Sequence, residues 1–314
     1  VGKTSIEWTD HSWPIVNGCR RISPGCGRAR GKGGCYAERL ISTRLSKTPK
    51  YQGLAVFGEN GPRWTGETRL WEPHLAAPLR LRTPSKIFVA DMGDLFYEGV
   101  SDRDIDRVFG VMWACRYLGR GDNVYPGHVF QVLTKRAERM RDYLSGDRKA
   151  LARRWADQAV DVGGGDNPDA LHDSIAFETK PHPRMWLGVS VENADFMPRV
   201  DHLLDTPAAV RFLSLEPLLG PIALNPGTLG CVGHLSETFG NPLIHQVIVG
   251  GESGPGAAPM DPAWVRSLRD TVVDAGAAFF FKQWGGVRKK LAGRELDGRT
   301  WDEFPADRAK ERNP

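Results

Sequence analysis

The feature that most restricts the fold is a rhythm: short apolar runs recur along the 314-residue chain, and stretches with helical spacing lie between them. The runs at residues 12–16, 86–90, 128–133, 185–191, 210–215, 246–250 and 278–281 are too short for buried helices and read as strands. Helices are expected at 36–45, 102–118, 135–144, 194–204 and 262–275. "SDRDIDRVFGVMWAC" begins with a Ser N-cap, continues with acids in its first turn, and then places apolar residues at helical spacing. "DPAWVRSLRDTVVDAG" has Asp261 as N-cap, Pro262 at the first helical position and Gly276 as the stop. Alternating strands and helices imply parallel strands joined by right-handed crossovers. The expected fold is α/β: a partial or nearly closed (β/α) TIM-like barrel forming a single domain over 1–314. Two segments break the rhythm. Residues 146–183, around "DVGGGDNPDA", read as a helical insertion followed by a flexible loop, and glycine- and proline-rich 224–242 reads as a second loop.

The residues just beyond each run are more telling than the run itself. The strand ends carry Asp91 and Asp94, then Thr134 and Lys135, then Ser190, Glu192 and Asn193, then Ser214 and Glu216, then Glu252 and Ser253, and last Lys282 and Gln283. Ligand sites of parallel α/β folds lie at the carboxyl ends of the strands. Helix capping explains Ser and Asn there, but recurring carboxylates and lysines point to a shared site, because lone buried charges are costly.

The first of these loops holds a second signal. "NGCRRISPGCGRARGKGGCYAERL" sets Cys19, Cys26 and Cys35 in a glycine-rich basic loop, with six and then eight residues between them. Five cysteines, an odd number, do not make a disulfide framework. Three thiolates can hold three corners of an iron–sulfur cluster and leave one iron open. They can equally bind zinc with a fourth ligand such as His11. Arg20, Arg21, Arg28, Arg30 and Lys32 are expected to lower the thiol pKa values. Cys115, at the apolar end of a helix, reads as a core residue.

Composition narrows the rest. With 40% hydrophobic and 25% charged residues the chain is an ordinary globular one. No run approaches the roughly 18 to 20 apolar residues of a membrane span. "VGKTSIEWTD" lacks an apolar leader core and also lacks the glycine and strand of a phosphate-binding loop, so a cytoplasmic setting without membrane contact is expected. A net charge of +4 permits a nucleic-acid partner without requiring one. The ten tryptophans read mainly as packing residues.

The cysteine triplet on a parallel barrel resembles the radical S-adenosylmethionine superfamily, and more closely a phage-associated family of three-cysteine-motif proteins within it. "TSIEWTDHSWPIVNGC", "GCYAERL", "DMGDLF", "QVLTKRAERM", "WLGVSVEN", "LEPLLGPI", "VIVGGESGPGA" and "FFFKQWG" carry the likeness over nearly the whole chain. The resemblance implies a [4Fe–4S] cluster on Cys19, Cys26 and Cys35, with S-adenosylmethionine on the open iron as the source of a 5′-deoxyadenosyl radical. By position Gly250, Gly251 and Glu252 resemble the element that binds the methionine amino group, and Ser190 and Glu192 the fourth-strand contacts to ribose or carboxylate. The chain departs from the superfamily in its wider cysteine spacing and in Tyr36, which comes after the last cysteine instead of before it. The glycine-glycine-glutamate element also stands after the sixth strand, so that Asp91 and Asp94 compete for its role. Lys282, Glu216 and Lys135 are the candidate catalytic residues.

The resemblance also implies an electron donor such as flavodoxin, a possible dedicated partner protein, and a nucleic-acid base as first-guess substrate, with rearrangement of modified thymine in phage DNA as the first case. Arg136, Arg139, Arg141 and "RKALARRW" are candidates for tracking phosphates, and Trp13, Phe96, Trp186 and Trp284 for walling a flipped base. Two other readings stay open: a zinc-stabilised barrel that binds nucleic acid, and a cluster-bearing redox sensor.

Overall fold

The computed structural model describes residues 1–27, 34–115, 117–118, 125–163, 167–178, 180–229 and 244–305. Arg28, Arg30, Lys32, Cys231, the centre of "DVGGGDNPDA" and most of the 224–242 segment lie outside the described residues.

One sheet of eight strands organises the fold, and its spatial order runs with the chain. These are β1 (Gly2–Lys3), β2 (His11–Trp13), β3 (Lys86–Val89), β4 (Val129–Thr134), β5 (Met185–Ser190), β6 (Val210–Leu215), β7 (Gln246–Gly250) and β8 (Ala278–Gln283). From β2 to β8 every neighbour is parallel, and β1 adds an antiparallel edge. Among the described residues β1 and β8 end the strand order without pairing, and the sheet is a curled half-barrel.

Among the described residues, the helices of seven or more residues are α1 (Tyr36–Ser42), α2 (Asp102–Ala114), α3 (Ala137–Leu144), α4 (Arg148–Gly163), α5 (Pro168–Ala176), α6 (Pro198–Leu204) and α7 (Pro262–Asp274). The expected caps form. Ser101 Oγ accepts from Asp104 N at 3.1 Å, and Asp261 Oδ1 accepts from Ala263 N at 2.8 Å. The helix expected over 194–204 divides into a 3-10 turn (Ala194–Phe196) and α6, because Pro198 has no N–H to continue the ladder. The stretch expected to be a flexible loop after α4 contains α5, capped by Asn167, whose Oδ1 accepts from Ala170 N at 3.0 Å. α4 lies against α2 through Gly110, where a Cβ would meet Trp155 O and Ala159 N at 2.9 Å. Phe109 and Trp155 stack there with ring centroids 4.9 Å apart.

Strand alternation sorts the core into two clusters. Val132, Leu187, Val189, Leu213, Val247, Phe279 and Phe281 pack outward with the helices. Trp186, Phe212, Ile248 and Phe280 face the other way, into the curl, where Trp8 joins them. On that concave face the positions nearer the carboxyl ends are small: Gly188, Ser190, Ser214 and Gly250. An aromatic floor beneath small residues leaves open volume at the sheet's carboxyl end. Gly188 makes the floor close-packed, since a Cβ there would lie 2.5 Å from the Phe212 ring. Gly188→Ala is therefore expected to destabilise the fold by about 1–3 kcal/mol, as overpacked cores do. Urea unfolding measures this, and an unchanged midpoint would show that Phe212 moves aside freely.

Candidate functional site

The site is built on the loops that leave β2 and β3. Gly18, at φ 90°, bridges to Gly93, and Gly18 N donates to Met92 O at 3.1 Å. A side chain at Gly93 would meet Val16 O at 2.8 Å, so the two loops touch backbone to backbone. Cys19 comes immediately after. Cys26 closes a 3-10 turn (Pro24–Cys26), and Cys35 is the N-terminal flank of α1. Cys35 N donates to Cys26 O at 3.3 Å, which joins the two halves of the loop. Cys19 and Cys26 are buried and Cys35 is half-buried.

Three buried carboxylates hold this loop. Glu38 accepts from Arg21 Nη2 at 2.6 Å and from Trp64 N at 2.7 Å. Glu252 Oε1 accepts from Gly34 N at 2.9 Å, and its Oε2 from Ala258 N at 2.8 Å. Glu192, wholly buried, accepts from Ser23 Oγ and from Lys135 Nζ, and from Arg199 Nη1 at 2.9 Å. Burial pushes the Glu192 carboxyl up, but Lys135 and Arg199 outweigh it and hold the group below its usual range. Gly25 sits directly on this carboxylate: a Cβ there would lie 2.6 Å from Glu192 Cγ and Oε1.

Among the described residues, burial dominates at the Cys19 and Cys35 thiols. Burial pushes Cys19 well up, nearby Asp94 and the other two cysteines push it further, and Arg136 opposes them. Burial first, and then Cys26 among its neighbours, lifts Cys35 to about 11. Arg21 pairs with Glu38 and, within electrostatic reach of Cys26 and Cys35, still favours their ionised forms. Among the described residues, Arg136 touches a thiol: its Nη1 donates to Cys19 Sγ at 3.4 Å.

Under the loop lies a cavity of about 200 Å³. Cys26, Cys35, Gly25, Gly34 and Tyr36 line its loop side, and Trp8, Phe88 and Leu133 belong to its apolar floor. Ser190, Ser214, Lys135, Glu216, Lys282, Gly251 and Glu252 complete the wall. Lys282 Nζ donates to Glu216 Oε1 at 2.6 Å. Gly250 fits closely against both, since a Cβ there would lie 3.3 Å from Glu216 Cδ and 3.4 Å from Lys282 Cβ. The carbonyls of Gly250 and Gly251 accept from Leu218 N at 2.9 Å and Gln283 Nε2 at 3.2 Å.

Asp91 and Asp94 stand apart from the cavity lining. Asp94 is buried and accepts from Thr134 Oγ1 at 2.6 Å, Phe96 N and Lys135 N at 3.0 Å, and Arg136 Nη1 at 3.3 Å. Asp91 comes after Ala90, a residue at φ 58°, and its carbonyl accepts from the Tyr36 hydroxyl. Burial lifts the Asp91 carboxyl to about 6, against a hydrogen bond from Ser12 and the charge of Lys50.

Several expectations change here. His11 opens β2 at the amino-terminal side of the sheet, within electrostatic reach of His128, and is not presented to the cysteine loop. Zinc thereby loses its suggested fourth ligand. Trp13 and Phe96 are wholly buried in the outer core, Trp186 lies in the floor cluster, and Trp284 packs on Phe281. The aromatic residues that line the cavity are instead Tyr36 on its loop side and Trp8 and Phe88 in its floor. Arg139 donates to Phe96 O at 3.3 Å and Val100 O at 2.6 Å, and Arg141 to Asp142 at 2.6 Å, so both are engaged within the fold and not laid out along a phosphate path. In α4, Arg148 stacks on Trp155 and Arg154 pairs with Asp106.

Among the described residues no three Cys, His, Asp or Glu side chains converge on a single metal-ion position. A [4Fe–4S] cluster takes one thiolate per iron at separate corners, so its ligands need not converge. Three free thiols on one loop, two of them lining a cavity, are of the type and number for that donor set.

A family model described as "Protein of unknown function (DUF5131)" matches residues 3–305. The chain belongs to this family. No curated protein matches this DUF5131 member. Among solved structures it is similar to "Spore photoproduct lyase complexed with dinucleoside spore photoproduct", at 11% identity and a TM-score of 0.37, over 84% of this chain and 72% of that one. That likeness is too loose to carry residue correspondences. Among the described residues of the DUF5131 protein, no helix is long and apolar enough to cross a membrane.

The packing and charge of the site set two expected outcomes. Gly25→Ala forces a methyl against a carboxylate pinned by two cations, and a loss of about 1–3 kcal/mol is expected in urea unfolding; wild-type stability would mean the loop is not seated on Glu192. For Asp91 the folded pKa of about 6 exceeds the ordinary value of about 3.9. Its stabilising contribution is therefore present below about pH 4 and lost as pH rises through about 6. Asp91→Asn is expected to flatten the fall in stability between those values, measured by denaturation midpoints across the range.

Proposed function

We propose that this protein is a radical S-adenosylmethionine enzyme whose cluster is held by Cys19, Cys26 and Cys35. The observation that carries the reading is the placement of the three-cysteine loop. It lies across the carboxyl ends of parallel strands, is pinned there by buried carboxylates, and covers a cavity with an ion pair in its wall. The sequence segments that resemble the three-cysteine-motif family converge on this same cavity, "GCYAERL", "WLGVSVEN", "LEPLLGPI", "VIVGGESGPGA" and "FFFKQWG" among them.

With a [4Fe–4S] cluster and S-adenosylmethionine bound, the site would have a 5′-deoxyadenosyl radical for abstracting hydrogen from an unactivated carbon. The chain's own residues do the rest. Glu192 and Glu252 fix the cysteine loop from opposite sides, and Arg136 offsets negative charge at Cys19. The floor of Trp8, Phe88 and Leu133 excludes water beneath the reacting position, which protects a radical from side reactions. Ser190 and Ser214 offer hydroxyls to a ligand, and Lys282 with Glu216 offers a donor next to an acceptor on one wall.

For the substrate we propose a nucleobase, free or within nucleic acid, with a modified thymine as the first case. A flat ring with alternating donors and acceptors suits a narrow space between an apolar floor and a polar wall. The electron is supplied by a small reductant protein of the flavodoxin class. The setting proposed is cytoplasmic, and host cytoplasm if the chain is phage-encoded.

The test is iron and sulfide analysis of anaerobically purified protein, then treatment with dithionite and S-adenosylmethionine and an assay for 5′-deoxyadenosine. About four irons per chain with a broad thiolate-to-iron absorption band, together with 5′-deoxyadenosine, is the expected result. Cys19→Ala, Cys26→Ala and Cys35→Ala are each expected to abolish the cluster, whereas Cys115→Ala, at a buried helix end, retains it. Iron retained without Cys35, or tightly held zinc in a colourless protein, would overturn the reading.

A further inference from the structure

No sequence motif marked Arg136 as part of the cysteine site. It lies two residues beyond β4 and is 6% exposed. Its Nη1 donates to Cys19 Sγ at 3.4 Å and to Asp94 Oδ2 at 3.3 Å, and its Nη2 to Arg20 O at 2.7 Å. The Tyr97 ring stacks on the guanidinium, with its centroid 5.0 Å away, and the Glu98 carboxylate stands 3.6 Å from Nε. An arginine keeps its charge in such a place. The guanidinium is thus shared among the Cys19 sulfur, the buried Asp94 carboxylate, which Thr134 Oγ1, Phe96 N and Lys135 N hold in place, and the exposed Glu98. Among the described residues, Arg21 pairs with Glu38, and Lys135 and Arg199 pair with Glu192.

We propose that Arg136 is a positioning and charge-compensating residue for Cys19, and that it raises the reduction potential of the iron–sulfur cluster held by the three cysteines. The inference rests on the reading given under Proposed function. Reduction adds one electron from the donor to a thiolate-bound cluster; no bond breaks and no proton moves, so the added negative charge stays where the electron arrives. A fixed cation on one ligating sulfur, screened from water, stabilises the reduced form more than the oxidised one. Net charge and hydrogen bonds to the sulfurs are the levers through which proteins set such potentials. The bond to Arg20 O also fixes the residue next after Cys19, so the same side chain orients the ligand it compensates.

The experiment compares the full wild-type chain with Arg136→Met and Arg136→Lys after anaerobic reconstitution. It reads iron and sulfide per chain, the unfolding midpoint, and the cluster's midpoint potential in a dithionite titration monitored by electron paramagnetic resonance. The Met variant is expected to load iron and sulfide and to need a stronger reductant, with at least a tenfold change in the one-electron equilibrium, about 59 mV. The Lys variant, which keeps the charge, is expected to stay nearer wild type. A loaded Met variant with the wild-type potential overturns the proposal, as does a Lys variant shifted as far as Met. Should Met fold without loading, a Lys variant that loads supports the charge argument, and one that folds and fails likewise overturns it. A wild-type chain that takes up no cluster defeats the functional reading itself, whereas a wild-type cluster with an unshifted Met variant defeats only this inference.

Discussion

Glu192 stands at the carboxyl end of β5 without exposed surface, and its two oxygens receive Lys135, Arg199 and Ser23. A carboxylate buried this deeply is tolerable only with such partners, and removing one partner of a buried ion pair typically costs about 3–5 kcal/mol. The rest of the site inherits its geometry from this arrangement. Ser23 and Gly25 belong to the cysteine loop, Lys135 to the end of β4 and Arg199 to α6, so one side chain joins the loop, the sheet and a helix. Gly25 is the residue that permits the contact, because any Cβ would displace the carboxylate.

Glu38 and Glu252 repeat the device on either side. Each accepts from backbone N–H groups: Trp64 N, at the end of a short hairpin strand, for Glu38, and Gly34 N with Ala258 N for Glu252. A glycine-rich loop loses much conformational entropy on ordering. Charge-assisted hydrogen bonds to buried carboxylates are among the stronger single contacts that offset such a loss. The cavity beneath has a separate origin. It exists because Trp8, Phe212 and Phe280 fill the concave face lower down while the small Ser190 and Ser214 leave the upper layer unfilled.

Much of this architecture was legible in the chain. The strands at 210–215 and 246–250 coincide with β6 and β7, and the caps at Ser101 and Asp261 form as their residue types require. Single-residue chemistry was enough there, because local hydrogen bonds and side-chain period decide those elements. α5 was less legible: its sequence is polar and proline-led, and it is stabilised by lying against α4, a partner that no local pattern names. At the site, the cysteines, the strand-end carboxylates, Lys135 and Lys282 were visible as residue types in strand-end loops. Arg136 was visible only as one of several arginines after β4, and it took the folded neighbours Cys19, Asp94 and Tyr97 to separate it from Arg139 and Arg141.

By itself the sequence determined the α/β class, the parallel strand order implied by alternation, and the gathering of polar residues at one end of the strands. Those come from periodicity and from the short range of capping and turn chemistry. Only the tertiary structure decided that the sheet curls into a half-barrel, that Trp8 and Phe88 rather than Trp13 and Phe96 reach the cavity, and that Arg136 rather than the loop's own Arg21 meets a thiol. The physical reason is common to all three. Which charge finds which partner, and which aromatic ring lies on the inner face, depends on residues far apart in sequence competing for the same buried volume.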